Sequence, residues 1–62
     1  MIMKYTYLVF DRRYRINPDS AEVLAVDDTP EGAKEDQEDN KGSVIVRFED
    51  ENNILSNPII IE

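Results

Sequence analysis

Cysteine, histidine and tryptophan are absent from this sequence of 62 residues. Without cysteine no disulfide can form, and without cysteine and histidine the ordinary ligands of zinc, iron–sulfur clusters and haem are missing. The commonest general base near neutral pH and the strongest nucleophile are missing too, and no serine or threonine has an evident base beside it. We therefore expect neither enzymatic activity nor a bound cofactor.

A long apolar run is also absent. No stretch approaches the roughly 18 apolar residues that a membrane-spanning helix requires. The apolar run at the amino terminus is interrupted by Lys4, ends at Asp11 and lacks a small-residue cleavage pattern, so it does not resemble a signal peptide. We expect a cytoplasmic protein with no membrane partner, and the lack of cysteine is compatible with that reducing compartment.

The length allows a single small domain, residues 1–62, whose free energy of unfolding is expected to be small. Domains of this size gain support from disulfides, a structural metal or self-association, and the composition removes the first two. The last strand carries an apolar edge of the kind that proteins normally cover. We therefore predict a homodimer formed through the sheet, either edge to edge or face to face, with a candidate dimer edge at Leu55, Ile59, Ile60 and Ile61.

The pattern of apolar and turn residues predicts an α+β domain with the element order ββαββ. If the helix crosses from the second strand to the far side of the first, the four-stranded sheet is mainly antiparallel, has the order 2-1-3-4 and carries the helix on one face. The predicted strands cover residues 2–10, 22–28, 43–49 and 54–61, and the predicted helix covers about 30–40.

Capping signals define the helix. Either Asp28 is the N-cap with Glu31 at the third helical position, or Thr29 is the N-cap with Pro30 at the first. The sequence Asn40-Lys41-Gly42 offers two candidates for a left-handed residue at the other end.

Two prolines leave alternatives open. Asn17-Pro18 is typical of a turn before the second strand, but it could also start a short helix over residues 18–25. Pro58 either confines the last strand to an edge of the sheet or marks a bulge.

The apolar residues of the strands predict how the faces of the sheet are used. Val44, Val46 and Phe48 alternate with other residues and are expected on the core face, whereas Ile45 is expected on a face without cover or at the edge. The helix is so polar that it can touch the sheet only through Ala33 and the stem of Gln37.

The charges are segregated along the chain, and the formal net charge is −7. Residues 1–15 have a balance of +3, residues 16–39 of −8 and residues 40–62 of −2. A candidate basic loop contains Arg12, Arg13 and Arg15, which we expect to pair with the acidic middle of the same chain or of a dimer mate. Because the overall charge repels polyanions, we do not expect direct binding to nucleic acid.

The acidic middle of the chain is a candidate interaction surface. Ordered carboxylates can imitate a phosphate backbone, so an acidic mimic that inhibits a DNA- or RNA-binding protein is the alternative to a non-catalytic protein-interaction or regulatory module. The sequence does not identify the protein partner in either case. The residues of the candidate acidic surface are Asp27, Asp28, Glu31, Glu35, Asp36, Glu38 and Asp39.

A metal site is not predicted. The oxygen-bearing residues Asp50 to Asn53 resemble the start of a calcium-binding loop, but the required glycine and the closing glutamate are missing. We interpret this segment as a hairpin turn.

Overall fold

Segments rich in β-branched and aromatic residues form four strands, and the capped acidic segment forms a helix between the second and third. The computed structural model of the chain describes residues 3–62. Its elements in chain order are β1 (Lys4–Phe10), 3₁₀ turns at Arg12–Arg15 and Pro18–Ser20, β2 (Val23–Asp27), α1 (Pro30–Asp39), β3 (Val44–Glu51) and β4 (Ile54–Ile60).

The sheet has the predicted order, β2-β1-β3-β4, and every neighbouring pair is antiparallel. Strands β2 and β3 therefore run parallel to each other on either side of β1, and parallel strands need a crossover connection. Helix α1 supplies that crossover. The predicted α+β architecture is confirmed, while the predicted inclusion of residue 2 in the first strand lies outside the described residues.

Of the two predicted helix starts, the one with Thr29 as N-cap is correct. The Thr29 hydroxyl oxygen accepts a hydrogen bond of 3.1 Å from the backbone N–H of Gly32, and Pro30 occupies the first helical position. At the other end, Asn40 has a negative φ, and only Gly42 takes the left-handed conformation, with φ +85°.

The Asn17-Pro18 segment before β2 forms only a short turn. The Asn17 side chain accepts a hydrogen bond from the backbone N–H of Asp19 and caps the 3₁₀ turn Pro18–Ser20. The alternative of a helix over residues 18–25 is wrong, because the chain is extended at Ala21 and pairs with β1 from Val23 onward.

Strand β4 is an edge strand with a bulge, so both readings of Pro58 hold. Arg47 faces Ile59 and Glu49 faces Ser56, which leaves Asn57 and Pro58 together opposite Phe48. Asn57 has φ +51°, as the first residue of such a bulge often does. The predicted hairpin turn is present, but it contains only Asn52 and Asn53, both with positive φ, because Asp50 and Glu51 belong to β3.

The two faces of the sheet have separate apolar clusters. On the helix face, Val9 and Ile45 are fully buried with Ala33 of α1, and Tyr7, Ala25 and Ile61 pack against them. On the opposite face, here called the outer face, the buried residues are Leu8, Phe10, Val44 and Val46.

The prediction for Ile45 is wrong. Its pairing with Val9 places it under α1, so the alternating set Val44, Val46 and Phe48 lies on the outer face instead. The outer face also has partial cover at one end, because Tyr14 and Ala21 of the β1–β2 connection pack there. The limited contact of α1 is as predicted: Ala33 is its buried residue.

Replacing Gly42 by alanine should lower the free energy of unfolding by about 1 kcal/mol, because a positive φ is unfavourable for a residue with a Cβ. Apart from Gly42 and its two chain neighbours, no heavy atom of the described residues lies within 4 Å of the place that this Cβ would occupy, so the cost is conformational rather than steric. Gly42→Asn is the matched control and should lose less stability, since asparagine tolerates this region better. Urea unfolding measures both, and equal losses would contradict the explanation.

Candidate interaction surfaces

An apolar row crosses the outer face from one edge of the sheet to the other. Leu8 pairs with Val26 on one side and with Val46 on the other, and Val46 pairs with Ile60. Residues paired across neighbouring strands point to the same face, so these four side chains form a continuous line, here called the outer row. Its two ends are exposed, Val26 by 63% and Ile60 by 42%, although Leu8 and Val46 between them are buried.

The 3₁₀ turns cover only one end of the outer face. The Tyr14 ring lies 4.5 Å from the Phe10 ring, centroid to centroid, and Phe10 also contacts Phe48 at 6.4 Å. Leu55, exposed by 38%, shares this face farther along β4, because it pairs with Asp50. The outer face therefore has exposed apolar side chains that no other part of residues 3–62 covers.

The four residues of the predicted dimer edge do not form one patch. Leu55 and Ile60 lie on the outer face, whereas Ile59 pairs with Arg47 and lies on the helix face. Ile61 is half-buried and packs against the cluster under α1. Sequence reasoning missed the rest of the outer row, because only the strand register shows that Val26 and Ile60 end the same line.

The basic loop is organised by Asp11. Its Oδ1 accepts a hydrogen bond from the backbone N–H of Arg13, and its Oδ2 accepts from the Arg13 guanidinium at 2.6 Å and from the backbone N–H of Glu22. The hydrogen bond from the Arg13 side chain is the main cause that lowers the pKa of Asp11 to about 2. Asp11 thus connects the loop to the start of β2.

Within one chain, the expected pairing of Arg13 with the acidic middle is wrong, because Asp11 is near enough to hold its guanidinium. Pairing of the loop with a dimer mate stays a prediction. Arg12 and Arg15 are exposed, and neither forms an ion pair with another of residues 3–62. Within residues 3–62, the loop arginines therefore form no ion pair with the candidate acidic surface.

Most of the candidate acidic surface faces solvent on and beside α1. Lys34 is the one lysine of the helix. Its ammonium group lies 3.3 Å from the carboxylate of Glu62, so Lys34 pairs with this residue and not with a carboxylate of α1. The exposed members of the acidic surface are Asp28, Glu31, Glu35, Glu38 and Asp39.

The remaining two members, Asp27 and Asp36, are half-buried and face each other. Asp27 is the last residue of β2, and its Oδ2 is buried without a donor from the described residues. The hydrogen bond with Asp36, together with burial and the nearby negative charges, raises the pKa of Asp27 to about 6. When the Asp27 carboxyl is protonated, it can supply the donor that this site otherwise lacks.

Gly32 makes room for this pair. A methyl group on residue 32 would lie 2.8 Å from Oδ1 of Asp27, which is closer than side-chain carbons normally come to an oxygen. Sequence reasoning recognised Asp27 and Asp36 only as parts of a charged surface. The glycine inside the helix was the available signal, because such a glycine often marks a close approach.

The Asp50 carboxylate already has partners within the sheet. Its carboxylate accepts a hydrogen bond of 2.7 Å from the Thr6 hydroxyl and lies 3.9 Å from the Lys4 ammonium group. Within residues 3–62, no group of three or more acidic side chains is arranged to hold a metal ion.

Asp11→Asn should lower the free energy of unfolding near neutral pH and have much less effect in strong acid. The folded pKa of about 2 is below the ordinary 3.8, so this carboxylate contributes stability that is present above about pH 4 and lost as the pH falls toward 2. Asp19→Asn removes an exposed carboxylate from the next turn and is the control. Urea unfolding across this pH range should show a pH-dependent difference for Asp11→Asn only; a constant difference would contradict this role.

No helix among residues 3–62 is long and apolar enough to cross a membrane. Comparison of the chain with protein families, with curated proteins and with solved structures found no match. Function must therefore be inferred from the two surfaces that the fold presents, the apolar outer face and the acidic helix.

Proposed function

We propose that this protein is a non-catalytic interaction module that self-associates through the outer face of its sheet. The observation that carries the proposal is the outer row, whose ends remain exposed although its centre is part of the core. A sheet face of this kind is normally covered by a second layer, and residues 3–62 contain only one α-helix to provide it. A second copy would supply the missing layer.

Edge pairing through β4 is the less favourable of the two arrangements that the sequence allowed. Pro58 has no N–H group to donate, and the bulge at Asn57 bends the strand, which is how proteins commonly prevent continuous pairing at an edge. Face-to-face packing avoids this interruption. It also buries Val26, Leu55 and Ile60 from each copy, and a fully buried aliphatic side chain contributes roughly 1.5–3 kcal/mol.

Charge supports the same arrangement. The helix face carries α1 and its exposed carboxylates, so two copies that met through that face would bring like charges together. The outer row contains no charged residue. Association through the outer face places the two acidic helices on opposite sides of the dimer.

Val26→Lys should convert the dimer to a monomer and raise its dissociation constant at least about tenfold, because the lysine would place a charge at the end of the outer row. Ile54→Lys is the matched control: Ile54 is exposed by 70%, but its pairing with Glu51 places it on the other face. Light scattering at tens of micromolar measures both. A wild-type monomer at this concentration, or equal loss of the dimer in both variants, would contradict the proposal.

The acidic helix supports a second candidate function, the mimicry of nucleic acid. Its carboxylates are exposed along one helix and, within residues 3–62, form no ion pair with the basic loop, which is the arrangement that a phosphate-binding protein would recognise. This candidate uses the opposite side of the molecule, so it is compatible with a dimer formed through the outer face.

Mimicry predicts that proteins captured by the immobilised chain are released by duplex DNA and by salt, because polyanion binding weakens steeply with ionic strength. The double variant Glu35→Lys with Glu38→Lys should abolish this capture. Asp19→Lys with Glu51→Lys makes the same change of charge elsewhere on the exposed surface and should leave it intact. A nuclease-treated lysate is the source; capture that resists salt, or equal loss in both variants, would reject mimicry.

A further inference from the structure

We propose that the contact between Asp27 and Asp36 makes the attachment of α1 to the sheet depend on pH. With one shared proton the two carboxyl groups are hydrogen-bonded and hold α1 against β2. Without that proton they repel each other, and the attachment of α1 to β2 weakens. This inference concerns regulation within the fold and does not depend on the proposed self-association.

The other polar attachments of α1 reach residues outside β2. The Gln37 amide donates hydrogen bonds to the carbonyl of Ser43, at 3.1 Å, and to the carbonyl of Glu62, at 3.3 Å. The Lys34 ammonium group also pairs with Glu62. These partners lie just before β3 and just after β4, so among the described residues the carboxyl pair is the polar contact that joins α1 to β2.

Apolar packing cannot replace this contact easily. Ala33 is the buried apolar residue of α1, and a single alanine contributes little apolar area. The helix is also short and acidic toward its C-terminus, where the helix dipole is unfavourable for negative charge. A repulsion between Asp27 and Asp36 therefore acts on an element with little stability of its own.

The charged groups near the pair favour its proton. Asp28, in the connection from β2, and Glu35, on α1, both add negative potential at Asp27. From β1, Tyr7 lies beside Asp27 in the strand register. On the next strand, β3, Arg47 pairs with Tyr7. Its guanidinium stacks on the Tyr5 ring, however, with its central carbon 4.5 Å from the ring centroid.

The direction of the effect follows from the raised pKa of Asp27, about 6 against an ordinary 3.8. The folded protein then holds this proton more tightly than the unfolded chain does. Its free energy of unfolding therefore decreases as the pH rises from about 4 to about 6, and the loss is complete above that range. This is the opposite sign to the effect of Asp11.

Amide hydrogen exchange measured by NMR tests the proposal, with each rate divided by its intrinsic value at the same pH. In the wild type, the protection of α1 relative to β3 should fall roughly tenfold between about pH 5 and pH 7.5. In Asp27→Asn it should stay constant, because the asparagine amide donates to Asp36 at every pH. Asp28→Asn removes the same charge one residue away and should keep the pH dependence, with a slightly lower midpoint because the negative potential of Asp28 is lost.

A second variant breaks the pair without a change of charge. In Gly32→Ala the new methyl group should displace the Asp27 carboxyl, so that the carboxyl ¹³C signal of Asp27 titrates near its ordinary pKa of 3.8 instead of about 6. The protection of α1 should then lose its dependence on pH.

The proposal is overturned if Asp27 titrates near its ordinary pKa in the wild type. It is also overturned if Asp27 titrates near 6 while the relative protection of α1 does not change, since the pair would then bind a proton without controlling the helix. Equal effects of Asp27→Asn and Asp28→Asn would assign the pH dependence to general charge repulsion and reject the specific contact.

Discussion

The central pairing of β1 with β3 is the constraint on which the rest of the structure depends. Leu8 to Phe10 and Val44 to Val46 are consecutive buried residues on paired strands, so they place apolar side chains on both faces of the sheet. Both faces must therefore be kept from water. One helix covers one face, and the β1–β2 connection covers one end of the other, which is why the outer row remains partly exposed.

The sequence was sufficient to predict the element order and the capped helix, because both depend on local signals. The strand order followed from the element order through the rule for crossover connections. Thr29, Pro30 and Gly42 define the helix ends, and two asparagines define the last hairpin. The side of the sheet that α1 occupies could not be predicted. With Ala33 as its buried apolar residue, the helix has no apolar stripe that distinguishes one face from the other.

The sequence identified the residues of the candidate surfaces, but it did not show which of them lie together in the fold. Local charge identified the acidic residues, yet the approach of Asp36 to Asp27 depends on how α1 crosses β2, which no short-range pattern specifies. The apolar residues of β4 were identified as exposed, but their division between the two faces depends on the bulge at Asn57. Long-range register, rather than residue type, thus determines which side chains can act together.

The two-residue turn at Asn52 and Asn53 also has a consequence for the order of folding. Pairing β3 with β4 closes a very short loop, whereas pairing β1 with β3 must order the whole segment between Phe10 and Val44. Loop closure costs less entropy for the short loop, and hairpins form within microseconds. We therefore expect the β3–β4 hairpin to form before the centre of the sheet. In a newly synthesised chain, the apolar strand β4 would then be part of an ordered hairpin and not of an unfolded segment that is prone to aggregate.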